Sequence, residues 1–308
     1  MISVALATYN GGLFIREQLD SIISQTYDDI EIIVCDDCSK DDTVKIIEQY
    51  AKNDSRIKIY QNEKNIGFKK NFEKAITLCS GEYIACSDQD DVWTNDHLKI
   101  LYDNIGKYDM ICANAHLVDE KLNPIGSDLF NSSRFSILPQ NNKEWLIFLF
   151  FNNIFQGSAC LIKKKLINKA LPIPDNVKFH DYWFALCSVC NNGVKYLPNN
   201  FILFYRQHSN NITGNQKKTF GQKVIKIFNK KENKKRRDDD LNNLYNLLNF
   251  NIDNSYRYEI IKIIKYFKRK YTPLSFLNIL YFCKNYNKIY LSERESRFFI
   301  RLVKNIFM

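Results

Sequence analysis

The chain has 308 residues, of which 45% are hydrophobic and 25% are charged. These proportions are those of a globular protein with a sizeable core, and they exclude wholesale disorder. The charge is uneven: residues 1–214 hold 22 Lys and Arg against 26 Asp and Glu, whereas residues 215–308 hold 22 against 8. We therefore predict two parts with different partners, an N-terminal domain at residues 1–214 and a basic C-terminal region at residues 215–308.

The sequence predicts a cytoplasmic protein. It opens on a short apolar run without a basic n-region, and it has no run of about 18 uncharged apolar residues. Nine scattered cysteines fit a reducing compartment better than a disulfide framework. Two CxxC spacings, Cys35/Cys38 and Cys187/Cys190, leave a zinc site open, but buried thiols that act as small hydrophobes are the favoured interpretation.

Apolar runs of strand length alternate with stretches of helical spacing along the first 110 residues. The predicted strands there are residues 2–8, 30–35, 56–60 and 82–86, and the predicted helices are residues 14–23, 41–50 and 67–78. Such alternation favours a parallel sheet with helices on both faces. Farther along we predict strands at 109–113, 157–162, 194–197 and 201–205, a hairpin at 117–125, and helices at 143–151, 164–170 and 181–191.

Polar and acidic side chains follow three of the predicted strands where each strand ends. They are Thr8, Tyr9 and Asn10 after the first strand, Asp36 and Asp37 after the second, and Asp88, Gln89, Asp90 and Asp91 after the fourth. Ligands of open α/β sheets bind beyond the carboxyl ends of the strands. The sequence therefore predicts an acidic binding site at one rim of the sheet.

Five sequence blocks, taken in order, resemble the family 2 inverting glycosyltransferases. They are VALATYNGGLFIREQLDSIISQTYDDIEIIVCDDCSKDDT, NEKNIGFKKNFEKAI, GEYIACSDQDDVWTNDHL, FHDYW and FYRQHSNNITG. The resemblance covers roughly residues 1–214 and is greatest to bacterial polysaccharide enzymes of the rhamnosyltransferase type. It implies the GT-A fold, a Rossmann-like mixed α/β sheet flanked by helices, here followed by a C-terminal helical region.

The resemblance also implies a reaction. A sugar would move, with inversion, from a nucleoside-diphosphate sugar such as dTDP-rhamnose or a UDP-hexose to a hydroxyl of a bacterial surface glycan or lipid-linked acceptor. An inverting displacement needs one base to take the proton of the attacking hydroxyl. By position, Asp181 would be that base, and its neighbours His180 and Trp183 are candidate contacts to the acceptor or donor. The structural alternative is a helix-capping Asp181 with Trp183 in the core.

The acidic run at residues 88–91 resembles the metal-binding motif of this family. Carboxylate oxygens suit Mn²⁺ or Mg²⁺, which stabilises the leaving diphosphate. By resemblance, Asp88 lies toward the ribose while Asp90 and Asp91 face the metal. His208 is a third candidate ligand, and Arg206 is a candidate phosphate contact. A solvated acidic turn that caps the next helix is the structural alternative.

By the same resemblance, Thr8, Tyr9, Asn10 and Asp37 form the nucleoside pocket, with Asp37 accepting the N3–H of a pyrimidine. Cys38 stands where many members of the family have Gly. Because Asp often caps a following helix, Asp37 also has a structural interpretation.

The start of the third predicted helix holds further candidate donor contacts, namely Asn65, Gly67 and Asn71. Gly permits close backbone approach, and a helix N-terminus offers unpaired N–H groups to an anion. An ordinary turn with a helix cap has the same sequence pattern, so both interpretations stay open.

Other classes of protein compete with this hypothesis. A nucleotidyltransferase or other metal-dependent phosphoryl enzyme also uses clustered carboxylates, and a catalytically silent subunit would bind donor without turnover. A nucleic-acid-binding protein is suggested by the basic tail, but the body is acidic, and we expect no specific nucleic acid partner.

The basic region itself leaves two hypotheses open. Residues 220–228 predict a basic amphipathic helix, and residues 260–270 and 281–290 interleave aromatic residues with Lys and Arg. Such segments dock on anionic lipid, here at the inner face of the plasma membrane, where the protein would be peripheral. Alternatively, these helices pack on the body or form a homodimer.

Overall fold

A computed structural model of the chain describes residues 1–126, 128–132, 138–151, 153–208, 230–250 and 252–269. Eight strands of these residues form one mixed sheet, in the order β3-β2-β1-β4-β7-β6-β8-β5. The strands are β1 (Ile2–Thr8), β2 (Ile30–Asp36), β3 (Ile57–Gln61), β4 (Tyr83–Asp88), β5 (Val92–Trp93), β6 (Met110–Val118), β7 (Cys160–Lys163) and β8 (Val194–Arg206). The predicted α/β class with a mixed sheet is confirmed.

Helices flank this sheet. They are α1 (Ile15–Ile23), α2 (Thr43–Asn53), α3 (Phe68–Leu78), α4 (His97–Ile105), α5 (Leu129–Ser132), α6 (Asn142–Phe151), α7 (Lys164–Ala170), α8 (His180–Val189), α9 (Lys230–Asn249) and α10 (Asn254–Arg269). The first three are amphipathic, so each buries one apolar face. In α1, for example, Ile15, Leu19 and Ile22 are fully buried.

The first four strands in space, β3, β2, β1 and β4, are parallel, as their alternation with helices predicts. β7 then runs antiparallel to both β4 and β6, and β6 is parallel to β8. The strands β4, β6 and β8 therefore point the same way, and their carboxyl ends meet at one rim with those of β1 and β2. Every residue of β2 is buried, including Glu31, whose carboxylate accepts from the hydroxyls of Ser3 and Ser80.

The structure differs from the predicted elements in three places. One long strand, β8, replaces two predicted strands, because a register shift between Ala113 and Asn114 of β6 skips residues 198–200 and pairing resumes at Phe201. Residues 157–159 form a 3₁₀ turn, so the strand that follows begins only at Cys160. The predicted hairpin at 117–125 is closed by a single bridge between Val118 and Pro124.

The described C-terminal helices pack on the body. Their buried side chains join the common hydrophobic core, among them Leu244, Leu247, Ile260 and Ile263. Asn176, which precedes α8, is hydrogen-bonded to two amides of α9, and Asn142 of α6 donates to the hydroxyl of Tyr256 in α10. The predicted helix at 220–228 and the aromatic segment at 281–290 lie outside the described residues.

Among the described residues, no helix combines the length and the apolar character needed to cross a membrane.

Candidate active site

The carboxyl ends of β1, β2 and β4 bring the predicted acidic rim together. In the sheet register, Thr8 lies opposite Asp36, and Ala7 lies opposite Asp88. The hydroxyl of Thr8 donates to Asp36 over 2.9 Å, and the amide of Asp37 donates to the carbonyl of Thr8 over 2.8 Å. Three segments that are distant in sequence therefore converge because neighbouring parallel strands end together.

Asp37 holds the loop before α3. Its Oδ1 accepts from Asn62 Nδ2 and from the amide of Ile66, and its Oδ2 accepts from the amide of Gly67, all within 2.9 Å. The side chain is buried. A carboxylate has about four acceptor positions, and these donors fill three of them.

Asn71 has a structural role that its sequence position did not reveal. It is buried, and its amide nitrogen donates to the carbonyls of Cys35 and Thr8, while its oxygen accepts from Asn62. The predicted donor contact is replaced by a brace between the ends of β1 and β2. Gly67 is the N-cap residue just before α3 and has a φ of 86°, a left-handed conformation that favours glycine. The side chain of Asn65 accepts from its amide.

The loop after β1 is clamped by Gln89, a role that the sequence did not reveal. Its carboxamide oxygen accepts from the amide of Tyr9 over 2.8 Å, and its nitrogen donates to the carbonyl of Tyr9 over 3.0 Å. A side chain at Gly11 would collide with this carboxamide. Tyr9 remains 46% exposed, so its ring is accessible to a ligand, and Asn10 adopts a φ of 49°.

Asp88 sits where three carboxylates crowd together. Burial, together with the charges of Asp90 and Asp181, raises the pKa of Asp88 to about 8. Its Oδ2 lies 3.3 Å from the donating Nε2 of Gln156. The next residue, Gly157, packs against Asp181 of α8, since a Cβ at Gly157 would lie 3.7 Å from Cβ of Asp181. One turn therefore brings Asp181 to the same rim as the acidic run, although the two are distant in sequence.

Asp90 and His208 form a close pair. Nε2 of His208 lies 2.7 Å from Oδ2 of Asp90, and the imidazole packs on Phe14 with ring centroids 5.0 Å apart. Asp91 is fully buried, and burial followed by repulsion from Asp90 and Asp88 raises the pKa of Asp91 well above its usual range.

This donor set fits a hard divalent cation. Oδ2 of Asp91 is buried without a hydrogen-bond partner among the described residues, and a cation would relieve the repulsion that raises the pKa of Asp88. No three His, Cys, Asp or Glu side chains of the described residues are arranged to share one ion. Mg²⁺ usually keeps water and substrate phosphate among its ligands, so one or two protein ligands suffice.

Arg206 is not available as a phosphate contact in this structure. Its side chain is 1% exposed, and its guanidinium binds the carboxylate of Glu17 and the backbone carbonyls of Asp90 and Glu120. It also lies over the ring of Phe14, at 4.7 Å from the centroid. Arg206 thus ties the metal-motif loop to α1 and to the turn after β6, and its own amide donates to Asp91.

Asp181 lies in the first turn of α8. Its Oδ1 accepts from the amide of Tyr182 over 2.6 Å, and burial raises the pKa of Asp181 to about 6. A carboxylate with this pKa is ionised at neutral pH and is basic enough to accept a proton.

The two neighbours of Asp181 differ in placement. His180 is buried with both ring nitrogens unpartnered among the described residues, and it stacks on Phe72 at 4.2 Å. Burial lowers the pKa of His180 to about 4, so the ring is neutral. Trp183 is only 3% exposed and donates to the carbonyl of Ala170. The structure therefore places Trp183 in the core, not at the rim, which corrects the predicted ligand contact.

Comparison with known proteins decides the family. The family described as Glycosyl transferase family 2 matches residues 3–169, more than half of the chain. The chain belongs to the family 2 glycosyltransferases. This membership disfavours the nucleotidyltransferase and nucleic-acid-binding alternatives.

This glycosyltransferase is similar to several named proteins. It is 30% identical over 222 residues to dTDP-rhamnosyl transferase RfbG of Shigella flexneri, covering 68% of this chain and 73% of that protein. It is also 30% identical over 189 residues to an uncharacterized glycosyltransferase of Haemophilus influenzae. That match covers 58% of each chain, so it spans less than two thirds of the relative's length.

The fold is similar to that of Staphylococcus aureus TarS. The crystal structure of TarS 1–349 in complex with UDP-GlcNAc matches with a TM-score of 0.61 at 17% identity, covering 99% of this glycosyltransferase and 81% of TarS 1–349. The similarity supports the GT-A fold predicted from the sequence.

Proposed function

We propose that this glycosyltransferase moves a sugar from a nucleoside-diphosphate sugar to a hydroxyl of a bacterial surface glycan or lipid-linked acceptor, with inversion. The observation that carries the proposal is that one turn contacts both carboxylates: Gln156 donates to Asp88, and the next residue, Gly157, packs against Asp181. A base near a donor-binding carboxylate is what a single displacement needs.

The donor is a dTDP or UDP sugar in this proposal. The similarity to a dTDP-rhamnosyl transferase supports dTDP-rhamnose, and the similarity in fold to a UDP-GlcNAc complex supports a UDP-hexose. In either case Tyr9 offers its exposed ring to the base, and Thr8 and Asn10 line the same loop end. Asp37 has one acceptor position left for the N3–H of uracil or thymine.

Asp90 and His208 would hold Mn²⁺ or Mg²⁺, with Asp91 behind them. When bound, the cation would supply Lewis-acid stabilisation of the leaving diphosphate. The chain's own residues do the rest: Gln89 fixes the nucleoside loop, Arg206 fixes the loop of Asp90, and the carboxylate of Asp181 accepts the proton of the acceptor hydroxyl.

His180 is proposed as a contact to a sugar hydroxyl. A buried neutral imidazole with two unpartnered nitrogens is costly unless a ligand supplies the partner. Its ring stands beside Asp181, so a hydroxyl bonded to it would lie near the base.

The basic C-terminal region remains a candidate for contact with an anionic membrane surface at the inner face of the plasma membrane or with a second copy of the chain. The helices α9 and α10 share the hydrophobic core of the N-terminal domain, which supports a C-terminal region that is an integral part of the enzyme.

The test is product analysis with a panel of nucleotide sugars and Mn²⁺ or Mg²⁺. We expect release of nucleoside diphosphate and, by NMR of the product, an anomeric configuration opposite to that of the donor. Release of pyrophosphate would instead indicate a nucleotidyltransferase.

A further inference from the structure

A cavity of about 590 Å³ opens at the amino ends of β6 and β8, at the opposite end of these strands from the acidic rim. It is lined by Tyr108, just before β6, and by residues 194–196 at the start of β8. The active-site rim lies at the other end of these strands, where Val118 of β6 pairs with Arg206. Eight residue steps of β6 put the two ends about 26 Å apart, so a ligand in the cavity does not touch the reacting groups.

The lining is basic. Lys107, Lys143 and Lys195 come from three different segments and all line the cavity, whereas no carboxylate side chain of the described residues does. The ammonium of Lys195 is held by the backbone carbonyl and the side-chain oxygen of Asn104, at 3.0 and 3.2 Å. Two carboxylates lie close by, Asp253 near Lys143 and Asp109 bonded to Asn192, but the three ammonium groups outnumber them, and this excess favours a negatively charged ligand.

The neutral part of the lining suits a saccharide. Asn142, the first residue of α6, donates to the hydroxyl of Tyr256 over 3.1 Å, and both side chains line the cavity with Asn141. The N-terminal end of α6 adds a partial positive charge. Carboxamides pair with sugar hydroxyls, and the half-buried rings of Tyr108 and Tyr256 offer an apolar face with a polar edge.

We propose that this cavity is a second saccharide site that binds an acidic sugar unit, bearing a carboxylate, of a glycan chain. Its volume lies within the range of sites that hold small organic ligands. The identification of that glycan as the acceptor rests on the proposed transfer to a surface glycan, but the binding of an acidic saccharide does not. The site would hold the chain away from the point of transfer.

The test measures binding to the full chain by isothermal titration calorimetry, without donor. The probes are tetragalacturonate, the neutral maltotetraose and inorganic pyrophosphate. The variant is Lys107→Gln/Lys143→Gln, and the matched control is Lys52→Gln/Lys165→Gln, which removes the same charge from exposed positions of α2 and α7. Thermal denaturation of both variants checks that they fold.

We expect tetragalacturonate to bind wild type and control alike and to bind Lys107→Gln/Lys143→Gln about tenfold more weakly, the effect of losing about 1.4 kcal/mol. Pyrophosphate and maltotetraose should bind more weakly than tetragalacturonate to wild type. Equal binding of tetragalacturonate to the variant, no binding to wild type, or equally tight binding of pyrophosphate would overturn the proposal. Release of nucleoside diphosphate by the same preparations tests the proposed function separately.

Discussion

Nε2 of His208 lies 2.7 Å from Oδ2 of Asp90, although 118 positions separate them in sequence. The contact joins the carboxyl end of β8 to the loop after β4, so the two candidate metal ligands are brought together by the pairing order of the sheet. This pair is the part of the rim where a cation would find both a carboxylate and an imidazole.

His208→Ala should therefore lower the affinity of the enzyme for its metal ion. We expect the Mn²⁺ concentration for half-maximal nucleoside diphosphate release to rise about 10- to 100-fold, because one of two close protein ligands is lost. His116→Ala is the matched control, since His116 is exposed and its ring stacks on that of Phe201. An unchanged Mn²⁺ dependence in His208→Ala would show that His208 is not a metal ligand.

The activity should depend on pH through Asp181. The carboxylate must be ionised to accept a proton, and its pKa is raised to about 6, so kcat/KM should fall as the pH drops below about 6. His180, whose pKa is lowered to about 4, does not titrate in that range. The pKa of Asp88 is raised to about 8, so the profile is taken at saturating Mn²⁺, which would keep Asp88 ionised. A profile of kcat/KM from pH 4.5 to 8 measures this, and a rate that rises on acidification would refute the assignment.

The same group should make stability depend on pH in the opposite sense. Burial raises the pKa of Asp181 above its ordinary value of 3.8, so the folded state binds the proton more tightly than the unfolded state. The free energy of unfolding therefore loses this contribution as the pH rises from about 4 through about 6. Asp181→Asn should lack this part of the pH dependence in urea titrations. Identical slopes for the two proteins would contradict the raised pKa.

Arg206→Met should affect stability and metal use more than donor affinity. The buried guanidinium bonds to Glu17, Asp90 and Glu120, and its loss should lower the free energy of unfolding by about 3 kcal/mol. The freed loop of Asp90 should also raise the Mn²⁺ requirement. Glu17→Gln, which leaves the backbone contacts in place, should have a smaller effect on both. A selective rise in donor KM with unchanged stability would restore the phosphate contact predicted from the sequence.

Gly157→Ala should displace the candidate base. A Cβ at this position would lie 3.0 Å from Nε2 of His180 and 3.7 Å from Cβ of Asp181, so the start of α8 must shift by a few tenths of an ångström. We expect kcat to fall about tenfold or more, with the donor Kd unchanged within about twofold, because transfer is sensitive to the position of the base. Unchanged kcat in a stably folded variant would show that this packing is not critical.

Much of the sheet was predictable from the sequence because its signals are local. The apolar runs of β1, β2 and β4 and the helices between them follow from periodicity, and the convergence of Thr8, Asp36 and Asp88 follows from parallel pairing. The insertion of antiparallel β7 between β4 and β6 was not predictable, since it depends on long-range pairing that no local pattern encodes.

The site was harder to predict at the level of side-chain roles. Asn71 and Trp183 have residue types that suit ligand contacts, yet the side-chain nitrogen of each donates to a backbone carbonyl. Arg206 is attached to Glu17, which is 189 positions away. Gln89 lies within the predicted acidic run, but its hydrogen bond with the amide of Tyr9 depends on the fold. Burial and distant partners decide such roles, and neither is visible in a residue's neighbours along the chain.

The most direct test of the central claim compares wild type with Asp181→Asn on one preparation of nucleotide sugar, acceptor and Mn²⁺. Donor binding and sugar transfer are measured side by side, by calorimetry and by release of nucleoside diphosphate. We predict that Asp181→Asn binds the donor normally and transfers sugar about 10²- to 10⁴-fold more slowly, as the loss of a general base requires. Transfer at the wild-type rate by Asp181→Asn would contradict the account.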